Sequence, residues 1–166
     1  MGVAGILGED DRVELIAGEI VQMAAIGVRH ATCVSRLNRL LVRTAPDDLL
    51  VHVQDPIRLG NDGEPQPDLC LVYDRHYDAT PTEQDVLLVI EVSDSSRLYD
   101  LNTKLPLYAA AGIAEAWLVD LQAGIVERHT ESLEGAYRHV AWARAGDTLA
   151  SVVVPSVVIP VADMLR

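Results

Sequence analysis

Phenylalanine is absent from this sequence, and aromatic residues make up only 4% of its 166 positions. Such scarcity argues against a platform of aromatic rings on which single-stranded bases would stack. No apolar run approaches the ~18 residues that a membrane span requires. The first residues have neither the basic region nor the cleavage site of a signal peptide. We therefore expect no membrane association and a cytoplasmic location.

Cysteine and basic residues are also scarce. Cys33 and Cys70 are the only cysteines, and neither belongs to a CxxC pair, so a zinc or disulfide framework is not expected. The 13 basic residues face 25 acidic ones, for a net charge of −12. Nucleic-acid-binding proteins usually have a basic surface, because neutralising phosphates releases counterions. This balance argues against tight, non-specific DNA binding by the isolated chain.

The chain is long enough to bury one substantial core. We expect a flexible N-terminus over residues 1–12 and a single domain over residues 13–166. The pattern predicts a β-hairpin turning at Ala17-Gly18 and a helix from Arg29 to Arg43. Three strands follow, then a helix over about 102–111, then further strands. This order predicts an α+β protein with a central mixed β-sheet flanked by helices.

The C-terminal tail, SVVVPSVVIPVADML, is rich in valine and isoleucine but is broken by Pro155 and Pro160. Proline cannot donate to a strand ladder, so the tail is predicted to be an edge strand or an extended wrap. Its apolar content suits packing against a second subunit. We therefore predict a homodimer.

Three charged residues stand out in the middle of the chain. Asp68 begins an apolar strand, and Glu91 lies inside the most hydrophobic stretch, VLLVIEVS. Lys104 follows at the start of the next helix and is the only lysine, against twelve arginines. Two carboxylates on neighbouring strands can converge on one hard cation such as Mg²⁺. An ammonium beside them would orient a water or stabilise charge on a phosphoryl oxygen.

Each of these residues also has a structural interpretation. Asp68 follows a proline and is typical of a turn end, while Lys104 is compatible with a solvated helix position. Glu91 favours function more strongly, because strand interiors seldom carry an unpaired acid. Together and in this order, the three residues favour a metal site.

The runs PQPDLCLVY, VLLVIEVSDSS and DLNTKLPLYAAAGIAEAWLVDL are similar to the signature of the Uma-type family of restriction-endonuclease-like proteins. The upstream ELIAGEIVQM and GVRH match it as well, so the resemblance covers about Val13 to Leu121. It implies a PD-(D/E)XK nuclease fold with a restriction-endonuclease-like core. The active-site set that it implies is Asp68, Glu91 and Lys104.

The resemblance also favours His30, at the start of the first helix, as a proton carrier or phosphate contact; a satisfied helix-start residue is the alternative. In the plain superfamily motif the lysine lies two residues after the glutamate, where this chain has Ser93. The Uma-type pattern supplies it from the following helix instead. Whether Lys104 reaches back to Glu91 is a matter of geometry.

We therefore predict an endonuclease that hydrolyses DNA phosphodiester bonds with Mg²⁺ or Mn²⁺ held by Asp68, Glu91 and the backbone carbonyl of Val92. The alternative is a catalytically weak or inactive module on a nuclease fold, acting as a homodimer. Glu19 is a candidate for a further carboxylate near the metal. The arginines of the first helix would either contact a phosphate backbone or form a solvated face; they are Arg29, Arg36, Arg39 and Arg43.

Overall fold

The computed structural model describes residues 12–23 and 25–166, and the predicted flexible N-terminus falls, except for Arg12, outside the described residues. A six-stranded mixed sheet in the order β3-β4-β5-β6-β7-β8 forms the centre. Its strands are β3 Leu49–Val53, β4 Leu69–Tyr73, β5 Val86–Ser93, β6 Glu115–Asp120, β7 Ile125–Leu133 and β8 Ala136–Arg144. The predicted α+β class with a central mixed sheet and an N-terminal hairpin is confirmed.

The two central strands, β5 and β6, are buried on both faces. They run parallel to each other, whereas every other neighbouring pair in the sheet is antiparallel. A parallel pair needs a crossover connection, which here is the helical segment 97–110. Burial on both faces explains why VLLVIEVS is almost continuously apolar rather than alternating. It also makes the acid within that run, Glu91, exceptional.

One face of the sheet packs against helix α1, Val28–Thr44. The predicted apolar stripe is buried, since Val34 is 5% exposed and both Leu37 and Leu41 are 0% exposed. These side chains pack against strand residues such as Ile90 and Trp117. The helix ends at the predicted Ala45-Pro46. The periodicity of its apolar residues therefore predicts both the helix and its buried face.

The other face packs against helical segment 97–110, which comprises the turn α2 (Arg97–Tyr99), a π-helical turn (Asp100–Lys104) and α3 (Leu105–Ala110). Leu105 and Tyr108 are buried against Cys70 and Val89 of the central strands. Pro106 lies in the first turn of α3 as predicted, where a missing N–H costs little. The segment begins before the predicted 102, because helical geometry is adopted directly after Ser96.

The N-terminal hairpin pairs β1, Val13–Ile16, with β2, Glu19–Gln22. Ala17 and Gly18 both have positive φ, as a two-residue hairpin turn of the primed type requires. A separate loop holds this hairpin against the domain: the Leu15 and Glu64 backbones exchange hydrogen bonds of 3.3 and 2.7 Å, and the Gly18 N–H donates to the Asp62 carbonyl at 2.7 Å.

The C-terminal tail differs from its prediction. The predicted edge strand is reduced to a short pair, β9 (Thr148–Ala150) with β10 (Val158–Pro160), and the chain ends in a helix that was not predicted, α4 (Val161–Leu165). The tail's apolar residues, such as Val157 and Met164, pack into the core beside α1. Most of the tail's apolar surface is therefore buried within the chain itself, although Val152 and Val158 are 54% and 45% exposed. Pro160 is the residue that precedes α4. No helix among the described residues is long and apolar enough to cross a membrane.

A buried carboxylate fixes the path of this tail. Glu115 of β6 is 0% exposed. It accepts hydrogen bonds from the Ser151 hydroxyl at 2.7 Å and from the Val152 and Val153 N–H groups at 2.9 and 3.0 Å. The indole N–H of Trp117 donates to its other oxygen at 2.7 Å. Hydrogen bonds from these four donors replace those that water would make to the carboxylate, and so they offset the free-energy cost of burying its charge.

Glu115→Ala should therefore destabilise the protein strongly, because it leaves four donors without their acceptor. We expect a loss of about 3 kcal/mol in the free energy of unfolding, measured by urea denaturation. The control Glu134→Ala removes an exposed carboxylate and should change stability by less than about 0.5 kcal/mol. Equal losses in the two variants would contradict this role for Glu115.

Candidate active site

The site forms where β4 begins and β5 ends. The antiparallel register places Leu69 opposite Ile90, so one residue further along the strands Asp68 faces Glu91. Directly opposed residues project from the same face of a sheet with their Cβ atoms about 5 Å apart. A hydrogen bond of 2.8 Å from the Val92 N–H to Asp68 Oδ2 fixes the two strand ends to each other. The strand register thus brings the two predicted carboxylates together.

Asp68 is 8% exposed and has partners on both oxygens. His30 Nε2 lies 2.9 Å from its Oδ2, and the Gln54 side-chain amide donates to its Oδ1 at 3.2 Å. The hydrogen bond to Asp68 raises the pKa of His30, against the opposing effect of burial. His30 therefore holds Asp68 from the first turn of α1.

Glu91 is 3% exposed and contacts both a cation and a hydroxyl. The Lys104 ammonium lies 3.0 Å from its Oε1, and the Tyr108 hydroxyl donates to the same oxygen at 2.5 Å. Burial raises the pKa of Glu91 to about 8; the Lys104 charge opposes this increase, while Asp68 and Asp100 add to it. A second positive charge would therefore stabilise the ionised form of this carboxylate.

Lys104 is the centre of this arrangement. It is 5% exposed, and its Nζ lies 2.9 Å from Glu14 Oε1 and 3.0 Å from Glu91 Oε1. It also donates to the Gln66 carbonyl oxygen at 3.2 Å. Burial alone would lower the pKa of the ammonium, but the two carboxylates outweigh burial and raise it. The only lysine of the chain is therefore held charged and oriented.

The π-helical turn explains how a helix residue reaches the strand end. Wide turns of this kind occur mostly as short insertions in α-helices, frequently at functional sites. Here the turn buries both Asp100 and Lys104, which are 4% and 5% exposed. Asp100 accepts a hydrogen bond of 2.8 Å from the Ser96 hydroxyl, and burial raises its pKa. Lys104 was expected at a helix start; it lies instead in the middle of a continuous helical segment.

All five predicted site residues line one cavity of about 500 Å³, namely His30, Asp68, Glu91, Val92 and Lys104. Glu14, Asp94 and Asp100 also line it. Five carboxylates thus surround the cavity, against the basic side chains of Arg12, His30 and Lys104. The cavity would repel a phosphodiester unless a cation compensates for its acidic residues.

Sequence reasoning missed three members of the site and misplaced one candidate. Glu14, Asp100 and Tyr108 were not predicted, and Glu19, which was considered as a further carboxylate, is exposed on β2. A signal for Glu14 exists in the alternation of VELI, which places it on the same face of β1 as the buried Ile16. Helical spacing from Lys104 would likewise have indicated Asp100 and Tyr108, four residues away on either side.

Two of the other residues considered from the sequence, Ser93 and Arg29, make structural contacts. Ser93 is buried, with its hydroxyl 3.4 Å from that of Ser96. On α1, the Arg29 guanidinium pairs with Asp94 at 3.0 Å and donates to the Leu121 carbonyl at 2.9 Å. Arg39 and Arg43 are exposed on the same helix.

The donor chemistry of the cavity fits a hard divalent cation. Among the described residues no three His, Cys, Asp or Glu side chains form a metal-binding group. The set around Asp68 and Glu91 instead offers two carboxylates and the backbone at Val92. Mg²⁺ typically binds through one or two carboxylates and keeps several waters. A bound cation would also stabilise the ionised form of the buried Glu91 and so lower its raised pKa.

The fold of the chain is shared with a solved structure. A solved structure described as "a putative nuclease belonging to DUF820" from Anabaena variabilis has a TM-score of 0.75 to this chain at 12% identity. The match covers 98% of this chain and 94% of that one. The chain therefore shares the fold of that structure. No curated protein matches the sequence.

The family can also be identified. Residues 5–162 match the Uma2 family, described as "Putative restriction endonuclease". The chain belongs to the Uma2 family, and the resemblance seen in the sequence is confirmed.

Replacing Lys104 with methionine should destabilise the protein in EDTA by about 3 kcal/mol, because Glu14 and Glu91 lose their buried counter-ion. Urea denaturation measures this loss. The triple variant Glu14→Gln/Glu91→Gln/Lys104→Met removes the charges together and should recover most of it. A Lys104→Met protein as stable as the wild type would show that the ion triad does not contribute to folding.

Proposed function

We propose that this protein is a divalent-metal-dependent endonuclease of the PD-(D/E)XK type that hydrolyses DNA phosphodiester bonds. The observation that carries the proposal is the opposition of Asp68 and Glu91 across neighbouring strands, with the ammonium of Lys104 against Glu91. Family membership and the nuclease-like fold support it. Mg²⁺ or Mn²⁺ would be held by Asp68, Glu91 and the carbonyl of Val92.

Each proposed residue has a distinct task. When bound, the cation supplies Lewis-acid stabilisation of phosphoryl charge and lowers the pKa of a coordinated water. Lys104 orients the attacking water or a non-bridging phosphate oxygen by its position beside Glu91. His30 uses Nε2 to hold Asp68, which favours an orienting role over proton transfer to the substrate. Tyr108 holds Glu91 through its hydroxyl.

The charge of the cavity supports metal dependence. Five carboxylates would repel an approaching phosphodiester. The net charge of −12 adds to this repulsion, and Lys104 is already bound to carboxylates, so the protein alone attracts an anion only weakly. A divalent cation would reverse this local potential and provide the phosphate contact. We therefore expect cleavage to require the metal even at low ionic strength.

Supercoiled plasmid should be nicked or linearised by the wild type in Mg²⁺ or Mn²⁺ and left intact in EDTA. Lys104→Ala and Glu91→Gln should each reduce the single-turnover rate by about 100-fold or more, since each removes a group acting on the reacting phosphate. The exposed-site variant Glu134→Gln is the matched control. Circular dichroism at the assay temperature establishes that each variant is folded. Equal rates in wild type and Lys104→Ala would refute the assignment.

The alternative is a module with weak or lost catalysis. It is favoured by the contacts of the Lys104 ammonium with Glu14, Glu91 and Gln66, because an ammonium held by three partners is less available to a substrate. Titration calorimetry with Mn²⁺ separates the two functions. Binding that Glu91→Gln abolishes supports the enzyme, and no binding by the wild type supports the module.

We also propose that the protein is a cytoplasmic homodimer with residues 13–166 as one domain. Most of the tail residues that suggested a dimer are buried within the chain. The interface would therefore use other apolar surface. Trp142, 67% exposed on the edge strand β8, is its best candidate, because an edge strand and a large exposed aromatic both favour association.

Sedimentation at micromolar concentration should show a dimer for the wild type and a monomer for Trp142→Ser, because the substitution removes the largest exposed apolar side chain of that edge. Val42→Ser, an exposed apolar change on α1, is the control and should remain dimeric. A monomeric wild type would refute the dimer.

A further inference from the structure

Glu14 is a buried acid whose place in the site does not follow from cation binding. It is 5% exposed, and its Oε1 lies 2.9 Å from the Lys104 ammonium. The same oxygen accepts the Gln66 N–H at 2.7 Å. Lys104 therefore has two buried carboxylate partners, although one would balance its charge.

The two carboxylate partners of Lys104 differ in whether they are also proposed to bind the cation. Glu91 lies opposite Asp68 and is one of the proposed cation ligands. A carboxylate that shares its charge with a divalent cation attracts an ammonium less, and the cation itself repels the ammonium. Glu14 comes from a different element and is not among the proposed cation ligands. It alone keeps its full charge available to Lys104.

The hairpin that carries Glu14 is held to the domain by several hydrogen bonds. Beyond the backbone bonds that pair Leu15 with Glu64, the Gln66 side-chain amide donates to the Val13 carbonyl at 3.3 Å. Glu14 is thus enclosed between two anchored residues of β1. The anchoring loop leads directly into Asp68, so the hairpin is attached to the segment that carries a second site residue.

We propose that Glu14 is a positioning residue that holds the Lys104 ammonium at the reacting phosphate once Glu91 is committed to the cation. The role in catalysis rests on the proposed nuclease function, whereas the holding of Lys104 is a property of the chain alone. The N-terminal hairpin is then a part of the active site, and its removal would release the lysine.

Because Lys104 is the only lysine, protein labelled with [ε-¹³C]lysine gives a single lysine signal whose relaxation reports the motion of this side chain. Glu91→Gln removes the carboxylate charge and so imitates the weaker attraction that Glu91 would exert on Lys104 when it binds a cation. We expect Lys104 to stay immobile in the wild type and in Glu91→Gln, and to become mobile on the picosecond–nanosecond timescale in Glu14→Gln/Glu91→Gln. Glu19→Gln, an exposed change in the same hairpin, is the control and should leave the signal unchanged.

A second measurement covers the case in which the double variant does not fold. Glu14→Gln alone should hold Lys104 through Glu91 in EDTA and release it on addition of Mg²⁺, whereas the wild type should remain immobile in both conditions. Lys104 motion in the double variant equal to that in Glu91→Gln would overturn the proposal. So would no effect of Mg²⁺ on folded Glu14→Gln at a concentration where calorimetry shows that the variant binds the cation.

The activity of the variants separates this proposal from the nuclease assignment. In plasmid cleavage, Glu14→Gln should lower kcat by about 100-fold with KM nearly unchanged, because a misplaced ammonium acts on the reaction rather than on binding. A wild type that cleaves no DNA refutes the proposed function, and the lysine relaxation of the EDTA samples still decides the role of Glu14. An active Glu14→Gln with wild-type kcat overturns the catalytic part of the proposal.

Discussion

The ion triad of Glu14, Lys104 and Glu91 is the interaction on which the site depends. Three charged side chains, each at most 5% exposed, come from an N-terminal hairpin, a helical segment and a central strand. None of them could be buried alone, because an unpaired charge away from water costs several kcal/mol. Their mutual compensation requires all three elements to dock together, so the triad joins the hairpin and the π-helical turn to the sheet.

The rest of the architecture serves this arrangement. The parallel pair β5–β6 requires a crossover, and that crossover is the helical segment that returns Lys104 to the end of β5. The antiparallel pair β4–β5 sets Asp68 opposite Glu91. On the far side of the sheet, Glu115 holds the C-terminal segment by four hydrogen bonds, so the two faces are each organised around a buried carboxylate with compensating partners.

Much of the fold was predictable because local rules determine it. The hairpin follows from two short alternating runs about Ala17-Gly18, and α1 follows from its apolar stripe. The tail was predicted less well: the sequence predicts an edge strand or an extended wrap interrupted by Pro155 and Pro160, but Pro160 precedes a short helix whose stability comes from packing against α1. A five-residue helix has little intrinsic stability, so its existence is a tertiary effect that no periodicity reveals.

By itself the sequence determined the family and the strand that carries Glu91. It also made Asp68 and Lys104 candidates for the site, because an acid inside an apolar strand and a solitary lysine are both unusual and can be recognised without the structure. Only the tertiary structure decided which carboxylates share that lysine. Glu14 lies ninety residues from Lys104 along the chain and Glu19 only eighty-five, yet docking of the hairpin buries the first and exposes the second. Side chains on a strand alternate between faces, but the face turned to the site depends on contacts distant in the chain.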